Sequence, residues 1–142
     1  MTTDQFVLGG HVEMGTELAP VSVAPVSRTT LSLFAGASGD HNPIHIDLDV
    51  ARSAGLDDVF AQGMLSMAYL GRVLTNWVPQ SAIRSFAVRF ADVTPVHASP
   101  TFTGTVTSLD ASSGVRLATL ELAGRLADGT LTLVGTAVVE VD

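Results

Sequence analysis

The hydrophobic rhythm of the chain is irregular at first, helical in the middle and strand-like at the end. From Leu18 to Val26 the apolar positions are broken by Pro20 and Pro25, which permits an edge strand and no more, since proline cannot donate to a ladder. Ser27 or Thr29 can cap a short helix through Leu31 and Phe34 that stops before Gly39. Asp47 can cap a second short turn through Val50, with Gly55 placed to end it. Between Gly63 and Val78, Leu65, Tyr69 and Val73 recur at four-residue spacing, and Met64, Ala68 and Leu70 widen the stripe. That spacing predicts the longest helix, ended by Pro79. From Ile83 onward the period falls to two. Phe86, Val88 and Phe90 alternate with Ala87, Arg89 and Ala91, and the pattern returns around Phe102, Leu120 and Leu131. Ser113-Gly114 and Asp128-Gly129 separate the last three strands as hairpin turns.

A helical middle followed by antiparallel strands defines an α+β domain with one sheet face on an apolar helix. The chain has no internal repeat, linker or low-complexity segment, so residues 1–142 read as a single domain. A hydrophobic content of 46% excludes a disordered chain. Fourteen acidic against seven basic residues give a net charge of −7, which argues against binding a phosphate backbone. With no cysteine, thiol chemistry and disulfides are excluded. The start Met1–Phe6 lacks the basic and apolar stretches of a secretion signal, and the uncharged run Val59–Gly71 is too short to span a bilayer. The expectation is a cytoplasmic protein with neither nucleic acid nor membrane as partner.

One segment departs from the apolar background. Ser38-Gly39-Asp40-His41-Asn42-Pro43-Ile44-His45 holds a carboxylate, two imidazoles and an amide, with a glycine and a proline to stiffen the loop. Asp40 and His45 are five residues apart, which suits neither a helix face nor a strand face, so a turn around Pro43 must bring them together if they cooperate. Converging, they form an acid/base pair able to hold and activate a water. The structural alternatives are a capping Asp40, an Asx-turn at Asn42 and a hydrogen-bonded structural His45. A metal site is poorly supported. The calcium-loop pattern fails at its glycine and at Ala51, and neither HExxH nor paired cysteines occur.

The run Phe34–His45, followed by Ala51, resembles the signature of the MaoC-like, or (R)-specific, enoyl-thioester hydratases. The likeness continues through Ala61-Gln62-Gly63-Met64-Leu65, Val88-Arg89-Phe90 and Pro95. It implies a hot dog fold, with a twisted antiparallel sheet wrapped around a long central helix. It also implies addition of water to trans-2-enoyl thioesters, or loss of water from (R)-3-hydroxyacyl thioesters.

In that resemblance Asp40 and His45 orient the water and manage both protons, and the amide of Gly63 stabilises the enolate oxygen from the start of the long helix. Neutral His45 is the favoured base and Asp40 the water-holding partner, although the opposite division stays open. Asn42 is read as holding the loop or the His45 ring, and Ser38, Gln62, Met64 and Arg89 as supporting or substrate-binding positions. Met64, Met67 and Trp77 are candidates for the acyl tunnel. Gln62 stands where the family often has a histidine, Gly71 where some members have a serine, and Val96-His97-Ala98-Ser99 replaces a usual Gly-Asp turn. No cofactor is implied beyond the coenzyme A or carrier protein that bears the acyl group, and the expected partner is a second copy or another hot dog subunit. The alternatives are a non-catalytic acyl-binding subunit of a heteromer, or a thioesterase. The latter is disfavoured because Gly63–Val78 contains no Asp or Glu.

Overall fold

Local signals set the ends of the early elements. In the computed structural model, which describes residues 10–142, Ser27 has extended backbone and its Oγ accepts the N–H of Thr30. The helix it caps, α1, runs Arg28–Ser38 and closes at Gly39. With φ of 79°, Gly39 directs its N–H back to the carbonyl of Ala35, a left-handed closure that glycine makes without strain. A 3-10 turn occupies Pro43–His45. The next helix, α2, spans Leu48–Ser53, and the Asp47 carboxylate accepts the N–H groups of Asp49 and Val50 at its start. The reading of Met1–Phe6 concerns residues outside those described.

The long helix, α3, spans Gly63–Thr75. It stops short of Val78 because the N–H groups of Trp77 and Val78 both turn back to the carbonyl of Leu74, tightening the chain before Pro79. The described residues hold five strands: the short edge strand β1 (Val21–Ser22) and, where alternation was expected, β2 (Ile83–Phe90), β3 (Thr101–Asp110), β4 (Leu117–Arg125) and β5 (Leu131–Glu140). They form one antiparallel sheet in the order β1-β3-β4-β5-β2. Two prolines confine β1 to a two-residue edge, pairing Val21 with Phe102 and Ser22 with Thr101. At the other edge β2 pairs, among the described residues, with β5 alone, from Ile83–Val139 to Phe90–Leu133.

The sheet packs on α3, and Leu70, Val73 and Leu74 meet Phe102, Leu120 and Leu133 in the main core. A second apolar cluster lies under the polar loop, where Leu31 of α1, Ala51 of α2, Val59, Ala61 and Leu65 of α3 pack together. This smaller core ties the loop to the amino end of α3. Arg28 and Asp58 form an ion pair at its surface, and the Arg28 hydrogen bond lowers the Asp58 carboxyl below its ordinary value. Met64 differs from its expected place on the apolar stripe. It is 56% exposed while Leu65 beside it is buried, so the covered face is centred one position further on.

His97 has φ of 70°, and its N–H bonds to the carbonyl of Val26 at 2.7 Å. The left-handed region costs a side-chain-bearing residue about 1–2 kcal/mol, and glycine's extra freedom when unfolded offsets about 0.5–1 kcal/mol of any gain. His97→Gly is therefore expected to raise the melting temperature by about 2–4 °C. His97→Val, with a branched side chain in the same geometry, is expected to lower it. Paired thermal melts test this, and equal melting points for the two variants would refute the strain.

Candidate active site

The turn around Pro43 does bring Asp40 and His45 together. Ser38 Oγ donates to the carbonyl of Phe34 at 2.7 Å and accepts the N–H of Asp40 at 3.2 Å, carrying the end of α1 into the loop. Asp40 Oδ1 accepts the N–H of Asn42, and Asn42 Oδ1 accepts the N–H of Ile44 at 3.2 Å. These side chains replace backbone partners through the irregular stretch. Asn42 thus makes the Asx-turn and holds the loop, while the His45 ring is held from elsewhere. At the end of the turn His45 is 8% exposed, and its Nε2 stands 4.0 Å from Asp40 Oδ2.

The other ring nitrogen settles the tautomer. His45 Nδ1 lies 2.8 Å from the carbonyl oxygen of Phe60, and its ring meets the Phe60 ring edge-on with centroids 4.7 Å apart. A carbonyl only accepts, so Nδ1 carries the hydrogen and a neutral imidazole presents the lone pair of Nε2. That lone pair faces the half-exposed Asp40 carboxylate across a gap that a single water can bridge.

Phe60 opens a segment whose links alternate in direction. The N–H of Ala61 donates to Thr94 at 2.9 Å, and Gln62 Nε2 donates to the carbonyl of Leu31 at 3.0 Å. Gln62 is fully buried, and its Oε1 has no hydrogen-bond partner among the described residues. Residue by residue the segment is tied to the loop, to the strand side and to α1. Gly63 then begins α3, and no acceptor among the described residues takes its N–H or that of Met64. An open helix amino end is where backbone donors and dipole together favour negative charge. The Phe90 ring packs against Gly63, 3.1 Å from where a Cβ would sit.

A cleft of 390 Å³ opens at the amino end of α3, lined by Phe60, Gly63, Ser66, Phe90, Asp92, Val93 and Thr94 among others, and Asp40 and His45 are not among its lining residues. Met67 and Trp77 do not line it, and Trp77 packs against the main core. Arg89 points to the opposite side of the sheet, where it shares a shallow trough with Glu121 and Arg125. The structure therefore gathers Ser38, Asp40, Asn42, His45, Gln62 and Gly63 and leaves Arg89 apart. Sequence reasoning passed over the Phe60 carbonyl, which no residue type advertises, and over Ser66 and Thr94. A serine set among Met64, Leu65, Met67 and Ala68 in the first half of the helix was the available signal for Ser66. Among the described residues no group of three or more His, Asp or Glu side chains is placed to hold a metal. No helix among them is long and apolar enough to cross a membrane.

An Asp–His pair beside an open helix amino end, on a sheet wrapped around that helix, defines the class. Residues 11–112 match the MaoC like domain, and the chain belongs to that family. Over 107 residues it is 28% identical to an (R)-specific enoyl-CoA hydratase of Rhodospirillum rubrum, covering 75% of this chain and 74% of that protein. The (R)-hydratase of A. caviae involved in PHA biosynthesis superposes with a TM-score of 0.81 at 24% identity, over 94% of this chain and 99% of that one. A chain of the ChsH1–ChsH2 complex from Mycobacterium tuberculosis superposes with a TM-score of 0.80 at 23% identity, over 93% and 100% of the two chains. These superpositions establish the shared hot dog fold.

Proposed function

We propose that this chain hydrates trans-2-enoyl thioesters to (R)-3-hydroxyacyl thioesters, or runs the reverse dehydration. The observation that carries the reading is the pairing of a His45 Nε2 lone pair, fixed by the Nδ1 bond to Phe60, with the Asp40 carboxylate 4.0 Å away. In the forward direction a water held by both groups gives a proton to Nε2 as its oxygen bonds to C3. The C2–C3 π electrons move toward the thioester carbonyl, and the developing oxyanion is met by the Gly63 N–H. The proton then reaches C2, and Asp40 balances the imidazolium charge meanwhile. The (R) outcome rests on likeness to the R. rubrum hydratase.

No cofactor is required by this scheme, and the acyl group arrives on coenzyme A or a carrier protein. The edge of β2, which no strand among the described residues pairs, lies beside the half-exposed Phe90 and Val93 and favours a partner hot dog subunit, either a second copy or a different chain. The purified chain is expected to remove the enoyl absorbance of trans-2-butenoyl coenzyme A and to yield the (R) alcohol on chiral analysis. An (S) product would overturn the reading, as would inactivity at every chain length with the partner subunit supplied. The acyl-binding alternative predicts tight acyl-thioester binding without turnover.

A further inference from the structure

We infer that Ser66 and Thr94 are specificity-determining residues that fit this site to short acyl groups and against long saturated ones. The inference rests on the hydratase reading, and it comes from the polarity of the cleft floor. An acyl cleft is expected to be apolar throughout, and Phe60, Phe90 and Val93 supply such walls here. The floor differs. Ser66, Thr94 and Thr132 all line the cleft and are all buried, at 5%, 3% and 2% exposure.

Their hydrogen bonds are unequal. Thr132 Oγ1 donates to the carbonyl of Gly124 at 3.1 Å, so its proton is committed to the protein. Ser66 Oγ and Thr94 Oγ1 face one another at 3.4 Å, and no other partner among the described residues takes either hydroxyl. Two hydroxyls bring two protons, and only one can lie between the oxygens. The second O–H is left to the cleft. Ser66 is three residues beyond Gly63 on α3, so it shares that helix face one turn further in.

Gly63 and this pair line the same cleft, so an acyl group whose carbonyl oxygen rests on the Gly63 amide has room to extend toward Ser66 and Thr94. A short tail leaves space for a water that satisfies the spare O–H. A long methylene tail must displace that water and offers nothing in return, so the hydroxyl is left unpaired against hydrocarbon. Methylene-for-methylene discrimination in an apolar pocket is modest, whereas a buried polar group that one substrate leaves unpaired discriminates more strongly.

The test compares kcat/KM for trans-2-butenoyl and trans-2-octenoyl coenzyme A in the wild type, Ser66→Ala, Thr94→Val and the double variant. The wild type is expected to favour the four-carbon substrate by about tenfold or more, and the double variant to raise the eight- to four-carbon ratio by about tenfold. Thr94→Val is close to isosteric and Ser66→Ala removes one atom, so thermal melts check that both variants fold. A wild type indifferent to chain length, or variants that change both substrates by the same factor, would reduce the pair to packing. If the wild type, with the partner subunit supplied, turns over neither these substrates nor any other chain length, the hydratase reading is what fails. The same selectivity is then read from calorimetric binding of butyryl and octanoyl coenzyme A, where an unchanged ratio in the double variant overturns the inference.

Discussion

Replacing His45 by Asn is expected to lower kcat for enoyl hydration by about 10²–10⁴, the range for losing a positioned general base, with little change in KM. Asn is the informative substitution because its amide can still donate to the Phe60 carbonyl, which His45 Nδ1 does at 2.8 Å, while presenting no base where Nε2 stood. His45→Ala removes the base, the Phe60 bond and the edge-on ring contact together. It should be as inactive as the Asn variant but melt at a lower temperature. Asp40→Asn keeps an acceptor for the Asn42 N–H and removes only the charge and the water-holding carboxylate. It is expected to lose activity on a similar scale. With both groups acting on one water, as proposed, the double variant should be no slower than the slower single variant by more than a few-fold. Stopped or steady-state absorbance assays on the four proteins decide it. Full activity in His45→Asn would remove the base from this ring, and strictly multiplicative losses would separate the two residues into independent roles.

Gly63→Pro is expected to lower kcat by about 10²–10³, as removal of one oxyanion donor does, while the fold survives. Proline is usually disruptive in a helix, yet Gly63 is the first residue of α3, where the N–H has no helical acceptor and proline is well accommodated. The preceding Gln62 already has φ −57° and ψ 136°, the extended backbone that proline imposes on its predecessor. The steric cost falls on the Phe90 ring, which is half exposed and able to give way. Gly63→Ala is the control, since it presses the same ring and keeps the amide. Loss of kcat in Pro with retention in Ala, at similar melting temperatures, isolates the N–H. Equal losses in both would assign the effect to Phe90 displacement and take the oxyanion role from this amide.

What the sequence made legible was local. Ser27, Asp47 and Gly39 act through hydrogen bonds to residues two to four positions away, so their roles can be read from neighbours. The hairpins at Gly114 and Gly129 and the strand alternation are local in the same sense. The Asp40–His45 pairing was nearly so, because only one turn at Pro43 separates the two side chains. Contacts across the chain were hidden. The His45–Phe60 bond joins residues fifteen apart, and the Gln62–Leu31 bond residues thirty-one apart, through a main-chain carbonyl in each case. A carbonyl is common to every residue and leaves no trace in composition. The outward turn of Met64 was hidden for another reason. An apolar stripe tells which positions are apolar, not how much of the helix the sheet covers. The position of Arg89 was legible from alternation, since it shares a strand face with Ala87.

The segment from Phe60 to Gly63 divides the labour between two kinds of chemical group. Its ties to the Asp40–His45 loop and to Thr94 run through its own carbonyl and amide groups, and the donor at Gly63 is again an amide. The cleft beside it is shaped chiefly by side chains, with Phe90 and Val93 at its walls and Ser66 and Thr94 at its floor. Substitution alters side chains freely and main-chain groups hardly at all. On the proposed function, descendants of this chain could exchange one acyl diet for another by point changes along the cleft while keeping these main-chain ties. The same separation gives an engineer a place to cut: redesign can proceed along the cleft one side chain at a time, with the proposed hydration step as the reporter.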